Sequence, residues 1–307
     1  MFKDNVLGGK KILVTGGGTG LGKEMAEHFV QHGAEVVICG RRESVLSDTA
    51  DEFKEKYGTT VRYQPLDIRS PQDVEDFIET VFQEGPLHGL VNNAAGNFIS
   101  PTKDLSARGF DAIANIVFHG TFYVTNAVGK KWLEQNIKGS IISILATWVW
   151  TGSPFVVPSA MSKSALHTMT KSLAVEWGPA GIRVNAIAPG PFPTEGMTAR
   201  LSPKGDMKKD SDNTIPMGRM GEMNELQNLA TFLMSDGCDY LTGQTIAIDG
   251  AQYLSGGGTL PTTCRFASGA RVETPTFPSV TRPVVTFEKI MTLEATFSFT
   301  TLNSVVT

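Results

Sequence analysis

Cysteine is scarce: Cys39, Cys238 and Cys264 are the three in 307 residues. They are far apart and odd in number, which suits a reducing compartment and forms no zinc-ligand pattern. No metal site is therefore expected. No apolar run reaches the roughly 18 residues that a membrane-spanning helix needs, so no membrane partner is expected. The opening residues MFKDNVLGGKK lack the apolar stretch of a secretory signal, and a cytoplasmic setting is the expectation. Positive charge is not in excess: 27 Lys and Arg against 31 Asp and Glu leave a net charge of −4. That argues against a basic nucleic-acid surface.

What is present is a large apolar fraction, 41% hydrophobic against 19% charged residues, enough to bury a core and to exclude global disorder. Between residues 9 and 250, short apolar runs alternate with amphipathic stretches. The runs predict strands at 11–15, 35–39, 61–67, 89–93, 140–145, 183–189 and 245–249. The stretches between them predict helices at 21–32, 43–57, 71–83, 107–135, 159–177 and 222–235. Such alternation implies βαβ units, so the expected fold is α/β: a Rossmann-like, doubly wound, seven-stranded parallel sheet with helices on both faces. Composition changes near Gly256. A domain of residues 1–255 is expected, followed by a 256–307 tail rich in Thr, Ser and Pro, which reads as a poorly ordered appendage or as strands that pair elsewhere.

The first strand runs into Thr15-Gly16-Gly17-Gly18-Thr19-Gly20-Leu21-Gly22 and then into a helix. Glycines allow a tight turn and close approach to a pyrophosphate, and the helix N-terminus offers free N–H groups and a positive dipole end. A dinucleotide is expected there. The second strand ends in Cys39-Gly40-Arg41-Arg42 rather than in an acid. Two guanidiniums suit a 2′-phosphate, which favours NADPH over NADH. Asp67 ends the third strand and could accept a bond from the adenine amino group; capping a helix is the alternative.

Four segments resemble the short-chain dehydrogenase/reductase family: TGGGTGLG at 15–22, NNAAG at 92–96, Lys163 early in a helix, and RVNAIAPGP at 183–191. The likeness covers about residues 9–254. The usual catalytic set of that family departs here. Ser159 stands at the Tyr position, Ala146 at the Ser position and Val117 at the Asn position, while Lys163 is retained. Ordinary alcohol–ketone chemistry lacks its phenolic acid. The Ser-x-x-x-Lys pattern, with NNAAGNFISPT at 92–102, TGSPFVVPSAMSK at 151–163, LAVEWG at 173–178 and APGPFPTEG at 188–196, resembles the 2,4-dienoyl-CoA reductase branch.

That resemblance implies roles residue by residue. Gly16, Gly17, Gly18, Thr19, Gly20 and Leu21, with Arg41, Asp67 and Lys163, would contact NADPH, and Pro189, Gly190, Pro191 and Phe192 would flank the nicotinamide. Asn97, Ser159 and Lys163 would form the catalytic group. Arg69, Asn97, Phe98, Ser106 and Arg200 would contact an acyl-CoA substrate. One position fails: the branch has a catalytic Tyr eleven residues before the Ser, and here it is Trp148. Indole N–H donates a hydrogen bond but is no acid near neutral pH.

The expected chemistry is hydride reduction of a 2,4-dienoyl thioester to a 3-enoyl-CoA in the degradation of unsaturated fatty acids. Asn97, and Trp148 as a speculative second donor, would stabilise the dienolate. Segment 192–216 reads as a substrate lid, and the 204–209 lysines could join Arg69 and Arg200 in meeting coenzyme A phosphates. The aromatics Trp148, Trp150 and Phe155 could line an acyl pocket. Glu24, His28 and His32 share a helix face, which reads as a solvated face rather than a metal site. The family is commonly tetrameric, so a homo-oligomer is expected by resemblance. Two alternatives stand beside this reading: a reductase of another conjugated carbonyl, and a nucleotide- or acyl-CoA-binding protein with impaired turnover, which Trp148 favours.

Overall fold

The structure, a computed structural model, describes residues 2–194 and 214–255, all within one compact unit. Arg200, Lys204, Lys208, Lys209, Cys264, most of the 192–216 segment and the whole 256–307 tail lie outside the described residues.

Seven strands form one parallel sheet: β1 Lys11–Thr15, β2 Glu35–Gly40, β3 Arg62–Pro65, β4 Gly89–Asn92, β5 Ser140–Ile144, β6 Arg183–Pro189 and β7 Thr245–Ile248. Their order is β3-β2-β1-β4-β5-β6-β7. The central strands β1, β4 and β5 are buried along their whole length, as a sheet covered on both faces requires. Helices α1 Gly20–Gln31, α2 Glu43–Tyr57, α3 Pro71–Gln83, α4 Ala107–Ala114, α5 Thr121–Gln135, α6 Trp148–Thr151, α7 Val157–Trp177 and α8 Met223–Met234 connect them. One face of the sheet buries Met25 and Phe29 of α1, Phe53 of α2 and Leu226 and Leu233 of α8. The other buries Phe77 and Ile78 of α3, Val124 and Trp132 of α5 and Trp177 of α7.

Local sequence sets several helix ends. Ser70 accepts from the Asp73 N–H and Pro71 occupies the first turn, so α3 starts there. A reciprocal pair, Glu222 and Glu225, caps α8. Gly58 and Asn136 end α2 and α5 in the left-handed conformation.

The 107–135 stretch is not one helix. A wide π turn, Asn115–Gly120, separates α4 from α5. No proline causes it. The turn widens where Val117 is fully buried and Gly120 lies against the loop after β3; a Cβ on Gly120 would sit 2.6 Å from Ile68 Cγ1 and 3.0 Å from the Ile68 carbonyl oxygen.

The Glu24–His28–His32 face is not solvated as expected, because α8 packs across it. His28 Nδ1 lies 2.7 Å from Thr231 Oγ1, and Gln227 Nε2 donates to the Glu24 carbonyl and carboxylate at 3.1 Å each. Among the described residues no cluster of three or more His, Cys, Asp or Glu is placed to hold a metal. Burial pushes His28 down to about 4, with the neighbouring His32 adding to the shift. Its folded value lies below the ordinary imidazole value, so between pH 6.5 and 4 the unfolded chain binds more protons. Stability from this residue is present above about pH 6.5 and is lost as pH falls toward 4. His28→Gln should therefore flatten the fall of the urea midpoint across that window, measured by circular dichroism on native and variant chains.

Candidate active site at the strand C-termini

Sequential order runs outward from β1 to β3, then returns to place β4 beside β1. A crevice opens outside the strand ends at such a reversal. Here it is a cavity of about 600 Å³. Every strand from β1 to β5 contributes to it through the residues at or just after its C-terminal end.

The glycine loop forms one wall, with Gly16, Gly18, Thr19 and Leu21 lining the cavity. Gly16 and Gly20 have φ of 66° and 54°, which an L side chain rarely adopts. The segment after β4 fastens this loop. Asn93 Nδ2 donates to the carbonyls of Thr15 at 3.1 Å and Gly16 at 3.2 Å. Thr15 Oγ1 accepts from the N–H groups of Asn93 and Ala94 and donates to the Val91 carbonyl. A Cβ on Gly22 would collide with both Asn93 Nδ2 and the Gly16 carbonyl oxygen. Gly17 faces away from the cavity, packed on Ile38.

At one end of the cavity stand Arg41, Arg42 and Asp67. Asp67 does not cap α3; Ser70 does. Instead Asp67 and Arg69 form a chelated pair. Arg69 Nε lies 2.9 Å from both carboxylate oxygens and its Nη2 2.5 Å from one of them. The pair holds the Asp67 carboxyl below its usual range, chiefly through the bonds from Arg69 and also through the positive charge of Arg41. Arg69 is exposed and stands off the cavity wall.

The other end brings together Asn97 after β4, Ala146 and Trp148 after β5, and Ser159 and Lys163 on α7, with Thr194 after β6. Asn97 Oδ1 accepts from the Phe98 N–H at 2.9 Å, which leaves its NH₂ as a donor. Ser159 and Lys163 are one helical turn apart, and both are buried. Lys163 Nζ donates to the Ile144 carbonyl at the end of β5. Burial alone pushes its ammonium down to about 8. Trp148 is half-buried.

The remaining candidates sit at the rim or behind it. Phe98 and Ser106 share an exposed patch at the start of α4, where Ser106 caps the helix by accepting from the Gly109 N–H at 3.1 Å. A Cβ on Gly109 would lie 3.3 Å from Ser106 Oγ and 3.5 Å from Phe98 Cζ. Phe192 is buried in the core, and Pro189, Gly190 and Pro191 do not line the cavity. Trp150 stacks on Tyr253 with ring centroids 4.8 Å apart, and Phe155 is exposed, so Trp148 is the one member of that aromatic trio on the cavity wall. Sequence reasoning missed Ile116, Ile144 and Leu145, which line the cavity as plain apolar side chains, while Thr194, also on the wall, falls in the 188–196 segment and the expected 192–216 lid.

Comparison with known proteins fits this geometry. Residues 16–251 match the model of a family described as enoyl-(acyl carrier protein) reductase. The chain belongs to the short-chain dehydrogenase/reductase family and is an oxidoreductase of that class. It is 43% identical over 257 residues to a Caenorhabditis elegans protein named "probable 2,4-dienoyl-CoA reductase", (3E)-enoyl-CoA-producing, covering 82% of this chain and 83% of the relative. A Bacillus subtilis relative, 39% identical and covering 80% of this chain and 97% of its own, carries the same name but is described as (2E)-enoyl-CoA-producing. A solved gluconate 5-dehydrogenase from Burkholderia cenocepacia, in complex with NADP and tartrate, aligns with a TM-score of 0.76 at 29% identity, covering 81% of this chain and 97% of that one.

A nicotinamide dinucleotide fits the glycine-walled cavity, since the loop leaves backbone where side chains would intrude. Gly22→Ala should displace Asn93 and the Gly16 carbonyl together. It should weaken NADP⁺ binding at least tenfold, read by isothermal titration, while leaving the far-ultraviolet circular dichroism native.

Proposed function

We propose that the chain reduces a 2,4-dienoyl-CoA to a 3-enoyl-CoA with NADPH, in the degradation of unsaturated fatty acids. The observation that carries this reading is the composition of the cavity's reaction end: an amide donor at Asn97, a lysine at 163, and no phenol on the wall among the described residues. That end suits charge delocalised onto a thioester oxygen better than direct protonation of a ketone oxygen.

The phosphate preference rests on Arg41 and Arg42, both on the cavity wall where β2 ends. Arginine meets a 2′-phosphate with charge-assisted bonds. Asp67, paired with Arg69, would accept from the adenine amino group. Thr19 and Leu21, with the loop glycines, would hold the pyrophosphate. Lys163 would hold the nicotinamide ribose. When bound, NADPH supplies a hydride for the far end of the diene.

The protein's own residues then manage charge. Asn97 NH₂ donates to the thioester oxygen as the dienolate forms. Trp148 N–H, which donates to no protein group among the described residues, is the second donor, replacing the phenol of the related branch. Arg69 and Arg200, with Phe98 and Ser106 at the rim, would meet the acyl-CoA, whose phosphates need positive charge on an acidic protein. A second copy of the chain is the expected partner. Phe118 on the π turn, Phe122 and Leu133 on α5 and Met161 and Val175 on α7 are large exposed apolar residues. A tetramer follows the family resemblance. A reducing, cytoplasmic setting accords with Cys39 and Cys238, both free and buried, and no described helix is long and apolar enough to cross a membrane.

A rival reading, ligand binding without turnover, is favoured by Trp148 alone. Following NADPH absorbance in the presence of a dienoyl-CoA separates the two: consumption supports the reductase, binding without consumption the rival. Loss of one preorganised donor costs about 3 kcal/mol of transition-state stabilisation. Asn97→Ala should therefore lower kcat about 100-fold and leave the NADPH Kd within about threefold. Equal losses in both would remove Asn97 from the reacting end.

A further inference from the structure

The two arginines that would meet a 2′-phosphate stand close to a carboxylate. Strands β2 and β3 run parallel with Gly40 opposite Pro65, and the Leu66 N–H donates to the Gly40 carbonyl at 2.8 Å. Arg41 and Asp67 therefore leave neighbouring strand ends, and with Arg42 they line the same cavity. An aspartate beside guanidiniums tends to close onto one of them in a bidentate pair. Such a pair would occupy the donors and neutralise the charge that a 2′-phosphate needs.

That pair does not form here. Asp67 is bonded to Arg69 instead, and neither Arg41 nor Arg42 has an ion pair or a side-chain hydrogen bond with another described residue. Arg69 grips the carboxylate with the Nε–Nη2 edge of its guanidinium: Nε is 2.9 Å from both oxygens and Nη2 2.5 Å from Oδ2. Its backbone N–H also donates to Oδ1 at 3.1 Å. The Asp67 carbonyl accepts from the Ser70 N–H at 3.1 Å, and Ser70 caps α3, so the turn that carries both side chains is itself held.

Exposed ion pairs usually contribute little, because two long side chains must be ordered to form them. Here the partners are two residues apart on a bonded turn, and a planar fork meets a carboxylate, so less freedom is lost per bond. The bonds from Arg69 are the main reason that Asp67 stays ionised, and the charge of Arg41 adds a smaller share. Arg41 is thus the cation next in line for Asp67 if Arg69 is removed. Arg69 itself is exposed and stands off the cavity wall.

On the cofactor reading above, we propose that Arg69 is a positioning residue for cofactor choice: by holding the Asp67 carboxylate it keeps Arg41 and Arg42 available to the 2′-phosphate of NADPH. Selectivity for the phosphorylated dinucleotide then depends on a residue that acts through Asp67 and not through the phosphate. The guanidinium edge carrying Nη1 is not used in this pairing, so the role does not prevent Arg69 from meeting another anion.

The test titrates NADP⁺ and NAD⁺ separately into native chain, Arg69→Ala, Arg69→Lys, Asp67→Ala and the double variant Arg69→Ala/Asp67→Ala, by isothermal titration. A crystal structure of Arg69→Ala accompanies it. Native chain should prefer NADP⁺ by at least about tenfold, as charge-assisted bonds to a phosphate would give. Arg69→Ala should narrow that preference at least about fivefold, and its crystal structure should show the Asp67 carboxylate paired with Arg41 or Arg42. Arg69→Lys keeps the charge but not the fork, so it should narrow the preference as well, though less. Asp67→Ala alone should keep the preference. Removing Asp67 from Arg69→Ala should bring the preference back to within about threefold of native, a non-additivity that independent residues do not show.

An unchanged preference in both Arg69 variants would overturn the positioning role. So would a double variant no better than Arg69→Ala, or an Asp67 carboxylate that stays clear of both arginines in the variant's crystal structure. An effect of Arg69→Ala confined to the KM for a 2,4-dienoyl-CoA would also overturn it and leave the residue to the substrate. A native chain that binds NAD⁺ as tightly as NADP⁺ would remove the cofactor reading, and this role with it.

Discussion

The site depends on one fastening, between the turn after β1 and the segment after β4. Asn93 and Thr15 bind each other's backbone on the two sides of the strand-order reversal. The turn itself is made of residues that sit in conformations, or against neighbours, where a side chain would intrude. A loop this rich in glycine would be mobile by itself, because glycine restricts the backbone least. Tying it to β4 converts freedom into a fixed row of backbone donors at the start of α1. Everything further along the crevice is placed relative to that row: the Arg41–Arg42 turn beyond β2, and Asn97 four residues beyond Asn93.

Two different electrostatic regimes share the cavity. At the Arg41–Arg42 end, the two arginines are exposed and Asp67 half-buried, so their interactions are screened and add little to stability. At the reaction end, Ser159 and Lys163 are buried in α7 against β5. There a hydrogen bond or a single charge has a larger effect because water is scarce. The replacement of a phenol by the indole of Trp148 belongs to this second regime. On the proposed reading it removes an acid and keeps an N–H donor, which suits a reaction whose charge develops on a thioester oxygen and whose proton is required at carbon.

The sheet was legible because its strands are short, apolar and punctuated. Strand β6 was expected at 183–189 and is Arg183–Pro189, bounded by Gly181 before it and Pro189 at its end. Helices α2 and α3 were also expected at 43–57 and 71–83, the bounds Glu43–Tyr57 and Pro71–Gln83 that they have, although the cap of α3 is Ser70 and not Asp67. The π turn was not, since no residue in Asn115–Gly120 signals it; in the structure its Gly120 packs closely against Ile68. The polar face of α1 was misread for the same reason: Glu24 and His28 look solvated until α8, two hundred residues later, is laid on them. Within the site, the glycine turn and the Ser-x-x-x-Lys spacing could be seen in the chain. The closure of Arg69 onto Asp67 could not, because two residues of opposite charge two positions apart can as easily face different ligands.

The most direct measurement is a crystal structure of the chain with NADP⁺ and a 2,4-dienoyl-CoA. The Asn97 amide nitrogen should lie about 3 Å from the thioester oxygen, with the nicotinamide over the diene. A thioester oxygen pointing away from Asn97, toward solvent or toward the Arg41–Arg42 end, would contradict an organised dienolate site.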